Sequence, residues 1–123
     1  MASTYEYTNV EELENKTAKN YHATDSRFTD EVIEQNITEA EKLVNSICGE
    51  SFSDPIPDAV NVATLKIAAV LMDNLLIAHG YGNEGETRHP VLNIVEIKEI
   101  LQEYVSDQED LVFSIPMQGI DRY

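Results

Sequence analysis

The residues of this chain whose types and spacing could do chemistry are few, and most lie in one glycine-rich stretch. Gly80-Tyr81-Gly82-Asn83-Glu84-Gly85 matches the G-x-G-x-x-G pattern letter for letter. In dinucleotide-binding folds those glycines let the backbone approach a pyrophosphate, but only between a strand and the helix that follows it. Here a helical pattern comes first, so a glycine-rich loop between helices is expected, and no cofactor. Glu86 and His89 have the Glu-x-x-His spacing of carboxylate-bridged metal bundles. Such sites need a second pair and further Glu side chains from facing helices. Only this pair is present, in a loop ahead of Pro90, so no metal site is expected. His79 stands beside Gly80 at the expected end of a helix, where its ring meets the last carbonyls rather than a substrate. His22 falls in a polar connection. Cys48, the single cysteine, lies at the negative end of a helix with no adjacent cation to lower its pKa, and reads as a small buried apolar group. No nucleophile, base or metal constellation remains, so the chain is not expected to be an enzyme.

Composition narrows the partners. The 123 residues carry 8 Lys and Arg against 23 Asp and Glu, a net charge of −15, with 42% hydrophobic residues and no Trp. A chain of this length buries roughly two thirds of its unfolded surface, so one core suffices without disulfides or metals. Phosphate affinity comes from Lys and Arg neutralising phosphates, and the excess of carboxylates argues against binding nucleic acid in a groove or along its backbone, or adhering to anionic lipid. A lone cysteine excludes a disulfide framework within the chain, and no charged start with an apolar stretch marks a secretory signal, which leads to the expectation of an intracellular, reducing setting. The longest unbroken apolar run, residues 67–72, falls well short of the roughly 18 residues of a membrane span. No membrane partner is expected.

Positioning these residues falls to helices. Thr8 and Glu11 have capping-box spacing, predicting a short helix over 9–19. Residues 20–28 are polar, lack periodicity and read as a connection. Thr29 can cap a longer helix, with Phe28 and Ile33 as a hydrophobic staple. Ile33, Ile37, Ala40, Val44 and Ile47 then form one stripe while Glu31, Glu34, Glu39 and Glu41 point elsewhere, and Gly49 ends the helix. Pro55 and Pro57 exclude helix over 51–58, so a corner is expected. The most apolar segment, 59–79, follows. At 100° per residue Val60, Ala63, Ile67, Leu71 and Ala78 share a face, while Val62, Lys66, Ala69, Asp73 and Ile77 lie opposite. That second side is not properly polar, so the helix is expected to be central, with Val62, Lys66, Ala69, Asp73 and Ile77 covered by neighbouring subunits or by the short N-terminal helix. Pro90 precedes a further helix to about 106, with the stripe Ile94, Ile97, Leu101 and Tyr104. Beyond it, Leu111, Val112, Phe113, Ile115, Met117, Ile120 and Tyr123 are too apolar for a solvated tail. Phe113, Ile115 and Met117 alternate with Ser114 and Pro116, predicting an extended arm with one apolar side. The expected fold is all-α: a small antiparallel bundle of about four helices over 1–109 with an extended C-terminal arm over 110–123. The arm either docks on a partner or folds back across its own bundle.

Taken together, Tyr7-Thr8-Asn9-Val10-Glu11-Glu12-Leu13, the helix carrying Asp30-Glu31-Val32-Ile33, Ile37, Ala40-Glu41, Val44 and Ile47, the corner with Gly49, Phe52 and Ile56-Pro57, and the Ala-rich helix after it resemble the head-tail connector, or adaptor, proteins of tailed viruses. The resemblance covers residues 5–80 and rests on order and spacing, since the family has no invariant chemical signature. It implies a non-enzymatic virion protein at the neck, assembled in the host cytoplasm. It further implies a ring, typically of twelve copies, that sits beneath the portal protein, extends the channel through which genome DNA passes without sequence-specific binding, and receives the next neck or tail component. By the same resemblance the arm over 110–123 docks on the portal. The acidity is not part of the family pattern and would suit either a channel wall that repels DNA or a salt-adapted host. The competing classes are an acidic mimic of DNA or a small helical regulatory protein that binds a protein partner, and a small metal-bundle enzyme.

Overall fold

A computed structural model describes residues 4–80 and 91–105. Among these residues the chain is all-α, a small bundle of five helices in the order α1 (Val10–Thr17), α2 (Tyr21–Thr24), α3 (Asp30–Cys48), α4 (Asp58–Ala78) and α5 (Ile94–Ile100). Most of Gly80–Gly85, together with Glu86, His89, Pro90 and the arm over 110–123, lies outside the described residues.

The start of α1 is displaced by one residue from the expected capping box. Asn9, not Thr8, is the N-cap, its side chain accepting from the Glu12 amide at 2.8 Å. Glu12, not Glu11, reaches back, its carboxylate accepting from the Thr8 hydroxyl at 2.7 Å. Asn and Thr cap almost equally well, and a tertiary contact breaks the tie: Asn61 of α4 donates to the same Glu12 carboxylate at 3.2 Å. Residues 20–28, expected as a plain connection, contain the single turn α2, capped by the Asn20 side chain. One turn is too short to show a helical period, yet it drives Tyr21 fully into the core.

Helix α3 follows its expected stripe. Thr29 accepts from the Val32 amide at 3.3 Å, Phe28 and Ile33 are both buried, and Gly49 closes the helix at φ 76, a left-handed conformation that costs a side chain steric energy. One acidic residue departs from expectation. Glu41, expected to point away from the core with Glu31, Glu34 and Glu39, is fully buried. The extended N-terminal segment crosses α3 there, and the Glu41 carboxylate accepts from the main-chain amides of Tyr5 at 3.0 Å and Tyr7 at 2.9 Å. The Tyr7 hydroxyl donates to Asn45 Oδ1 at 2.5 Å and accepts from the Phe52 amide at 2.8 Å. Its carbonyl accepts from the Asn61 side chain at 2.8 Å. The N-terminal segment is thereby fastened to α3, to the corner over 49–57 and to α4.

Helix α4 is the centre of the bundle. It packs most extensively on α3 and also touches α1 and α5. Val60, Ala63, Thr64, Leu65, Ile67, Ala68, Met72 and Leu76 are buried, which at 100° per residue covers about three fifths of its circumference. The inner face is therefore wider than expected and rotated from it: in the C-terminal half of the helix Met72 and Leu76 are buried, while Leu71 is only half-buried and Ala78 is exposed. At 21 residues and largely apolar, α4 is long enough to cross a membrane by length and composition. Packing on three sides accounts for that composition as a core helix.

Helix α5 begins later than Pro90 suggested. Asn93 caps it, accepting from the Glu96 amide at 3.1 Å, and after Ile100 the chain continues as tightened turns to Val105. Ile97 and Leu101 are buried and Tyr104 packs against the core, but Ile94 is 38% exposed. It is the first residue of the helix, and side chains tilt toward the N-terminus, which carries Ile94 beyond the contact with α4. A run of rings finishes the core at this end: Phe52 meets Tyr7 edge-on at 6.0 Å and Tyr104 edge-on at 5.5 Å.

Candidate functional site

The outward arc of α4 carries Val62, Lys66, Ala69, Asp73 and Ile77, the set expected from the sequence as an interface. It is the arc left over by the buried positions. Each of its charges is matched from a flanking element. Lys66 Nζ lies 3.5 Å from Glu96 Oε2 of α5, and Asp73 Oδ1 lies 2.8 Å from Lys19 Nζ, just beyond α1. Ala69 is half-buried against the core, Ile77 is half-buried, and Val62 is exposed. The structure thus brings α1 and α5 to the two margins of the arc. Such partly exposed ion pairs contribute little stability, so the packing of the flanking helices, not these charges, holds them in place.

A second apolar surface was not read from the sequence. Val91, just ahead of α5, is 86% exposed, and on the first turn of the helix Ile94 is 38% and Val95 67% exposed. Two residues at 100° per step put Val95 roughly opposite Ile97, so a helical wheel restricted to α5 would have shown it. The signal was obscured because the Ile94, Ile97, Leu101 and Tyr104 stripe explains the apolar residues well enough without a second face.

Among the described residues, His79, His22 and Cys48 have identifiable surroundings. His79 Nδ1 donates to the Leu75 carbonyl at 2.9 Å, as expected of a histidine at a helix end, and its ring stands edge-on to Phe28 at 5.2 Å. His22 Nδ1 lies 3.4 Å from the Phe28 carbonyl. Cys48 is buried at the end of α3, as its setting implied. Among the described residues no group of three or more His, Cys, Asp or Glu could hold a metal ion. Burial pushes the Tyr7 phenol above its ordinary value of 10.0, against the opposing hydrogen bond from the Phe52 amide. Tyr21 is raised for the same first reason, opposed by its hydrogen bond to Thr17.

The outer face of α3 carries an open depression of about 630 Å³, lined by Thr4, Glu31, Glu34, Thr38, Glu39 and Lys42 among others. Its carboxylates make it unsuited to a phosphate backbone. Thus the described residues offer packed helices, an acidic outer face on α3, and apolar side chains on the outsides of α4 and α5. No family model, no curated protein and no solved structure matches the chain.

Proposed function

We propose that this protein is a structural, non-enzymatic component of a tailed-virus neck, a head-tail connector. It forms a ring of about twelve copies under the portal and receives the next neck or tail component. The observation that carries this reading is the exposed apolar side chains Val91, Ile94 and Val95 at the start of α5, followed in the chain by the apolar sequence of Leu111 to Tyr123. Exposed apolar side chains gathered on one face favour association, and a terminal segment stays ordered only by burying surface or adding backbone hydrogen bonds. The outward arc of α4 supports a second contact between copies, through Val62 and Ile77. The acidity fits a channel that lets genome DNA slide without sequence-specific binding, since like charges hold the duplex off the wall.

The test is to locate the protein in purified virions by labelling the neck, and to measure its binding to the portal protein. Label at the neck and saturable portal binding, lost on deletion of residues 111–123, are the expected results. Absence from the particle, together with salt-sensitive binding to a DNA-binding enzyme, would replace the connector reading with that of an acidic DNA mimic. The carboxylates of Glu31, Glu34 and Glu39 on the outer side of α3 would then be the contact surface.

A further inference from the structure

Among the described residues two that are not glycine hold a left-handed backbone, Glu6 at φ 57 and Ala18 at φ 58. Ala18 is the one that joins two helices. It closes α1 at ψ 36, and only Lys19 and Asn20 separate it from α2. Alanine has the highest helix propensity of any residue, and an L side chain in the left-handed region crowds the following carbonyl, so the break runs against the local preference of the sequence. The spacing says the same. Val10, Leu13, Thr17 and Tyr21 recur at steps of 3, 4 and 4, the pattern of one helix running unbroken through α1 and α2.

The break sets where the segment ahead of it lies. Residues 4–17 are tied to the rest of the molecule by groups well beyond Ala18. Thr4 N donates to Thr38 Oγ1 at 3.1 Å, Tyr5 N and Tyr7 N to the buried Glu41 carboxylate, and the Tyr7 hydroxyl to Asn45 Oδ1. At steps of 3 and 4, Thr38, Glu41 and Asn45 line one side of α3. Leu13 is fully buried, and α1 packs on α4 and α3. Bonds that cross the break include Lys19 N to the Glu14 carbonyl at 3.1 Å and Tyr21 N to Glu14 Oε2 at 3.2 Å.

Turning Ala18 to the right-handed region lets the amides of Lys19, Asn20 and Tyr21 take carbonyls four residues back. Those bonds are then replaced, at the loss of the Asn20 cap on Ala23 N, and the left-handed strain goes. The same rotation lifts residues 4–17 from their seat. A chain opened in isolation puts Tyr7 and Leu13 into water and strips Glu41 of its two amides, which is costly. Every one of these contacts returns unchanged when the seat belongs to another copy, and short hinges under strain invite such exchange.

We propose that Ala18 is a hinge through which residues 4–17 exchange between copies, the N-terminal segment of one chain lying across α3 of a second. Exchange of this kind needs no other component and stands apart from the connector reading.

Two full-length chains in a Cys48→Ala background test it, one with Thr4→Cys and a second, mass-tagged, with Thr38→Cys. They are mixed at high concentration with salt to screen the net charge of −15, warmed to near the melting temperature, cooled, diluted and oxidised. A disulfide between the two chains is expected, because positions 4 and 38 meet only where one segment lies on the other chain's α3. Ala18→Gly in both chains relieves the strain of the closed form and weakens the continuous helix, and is expected to lower the mixed disulfide about fivefold. One chain carrying both cysteines, kept dilute throughout, is expected to close on itself. Closure of that chain with no mixed disulfide from the pair would overturn the proposal, and so would a mixed yield untouched by Ala18→Gly. The unsubstituted chain, taken through the same cycle, is expected to elute in part as two or more copies in size-exclusion chromatography. Elution as monomer alone would overturn the proposal without reference to any variant.

Discussion

Replacing Glu41 by Gln tests whether a buried carboxylate fastens the N-terminal segment to the bundle. The side chain is fully buried and accepts from two main-chain amides, Tyr5 N at 3.0 Å and Tyr7 N at 2.9 Å. Gln keeps one acceptor oxygen and turns a donor toward the other amide. Losing charge assistance at the retained bond removes on the order of 1 kcal/mol, and leaving an interior N–H unpaired costs about 1–3 kcal/mol. Burying a neutral amide in place of a charge returns part of that sum, so the net destabilisation expected is about 2 kcal/mol. For a domain near this size that corresponds to a fall in melting temperature of roughly 8 °C or more. Urea denaturation followed by circular dichroism gives the free energy, and amide exchange at Tyr5 and Tyr7 gives the location. Glu39→Gln, on an exposed side chain of the same helix, serves as the control and is expected to stay within about 0.5 kcal/mol of the parent protein. If Glu41→Gln and Glu39→Gln are equally stable, or if exchange at Tyr5 and Tyr7 does not quicken, the carboxylate is not the fastening and this reasoning fails.

Alkaline pH supplies a further check, because burial raises Tyr7 and Tyr21 above their ordinary value of 10.0. Stability from keeping both phenols protonated is fully present below about pH 10 and is lost as pH rises through their higher folded values; a thermal series should therefore fall above that point, less steeply in a Tyr21→Phe variant. Gly49→Ala forces a side chain into the left-handed conformation at φ 76 and should cost about 1–2 kcal/mol in urea denaturation, with no change in oligomeric state. Val62→Glu, on the outward arc of α4, should leave the melting temperature of the isolated chain unchanged while reducing association between copies in sedimentation; unchanged association would mean the arc is solvated.

The sequence alone determined the helical class, the long amphipathic stripe of α3, the apolar centrality of α4 and the stop at Gly49. These are local facts, carried by a 3.6-residue period, a cap at Thr29 and prolines that exclude helix at the corner. Tertiary structure decided what depends on a neighbour distant in the chain. Whether Thr8 or Asn9 caps α1 turned on the reach of Asn61 from α4. Whether Glu41 faced water or the interior turned on an N-terminal segment more than 30 residues away, whose amides make its burial tolerable. The single turn holding Tyr21 had no period to display, and Ile94 left its stripe because α5 begins at that residue. Val95 was written in the sequence as a second apolar side of α5, but it becomes an exposed surface only because the core takes Ile97 and Leu101. Periodicity records which residues share a face, whereas the choice of which face is buried belongs to the elements that pack against it.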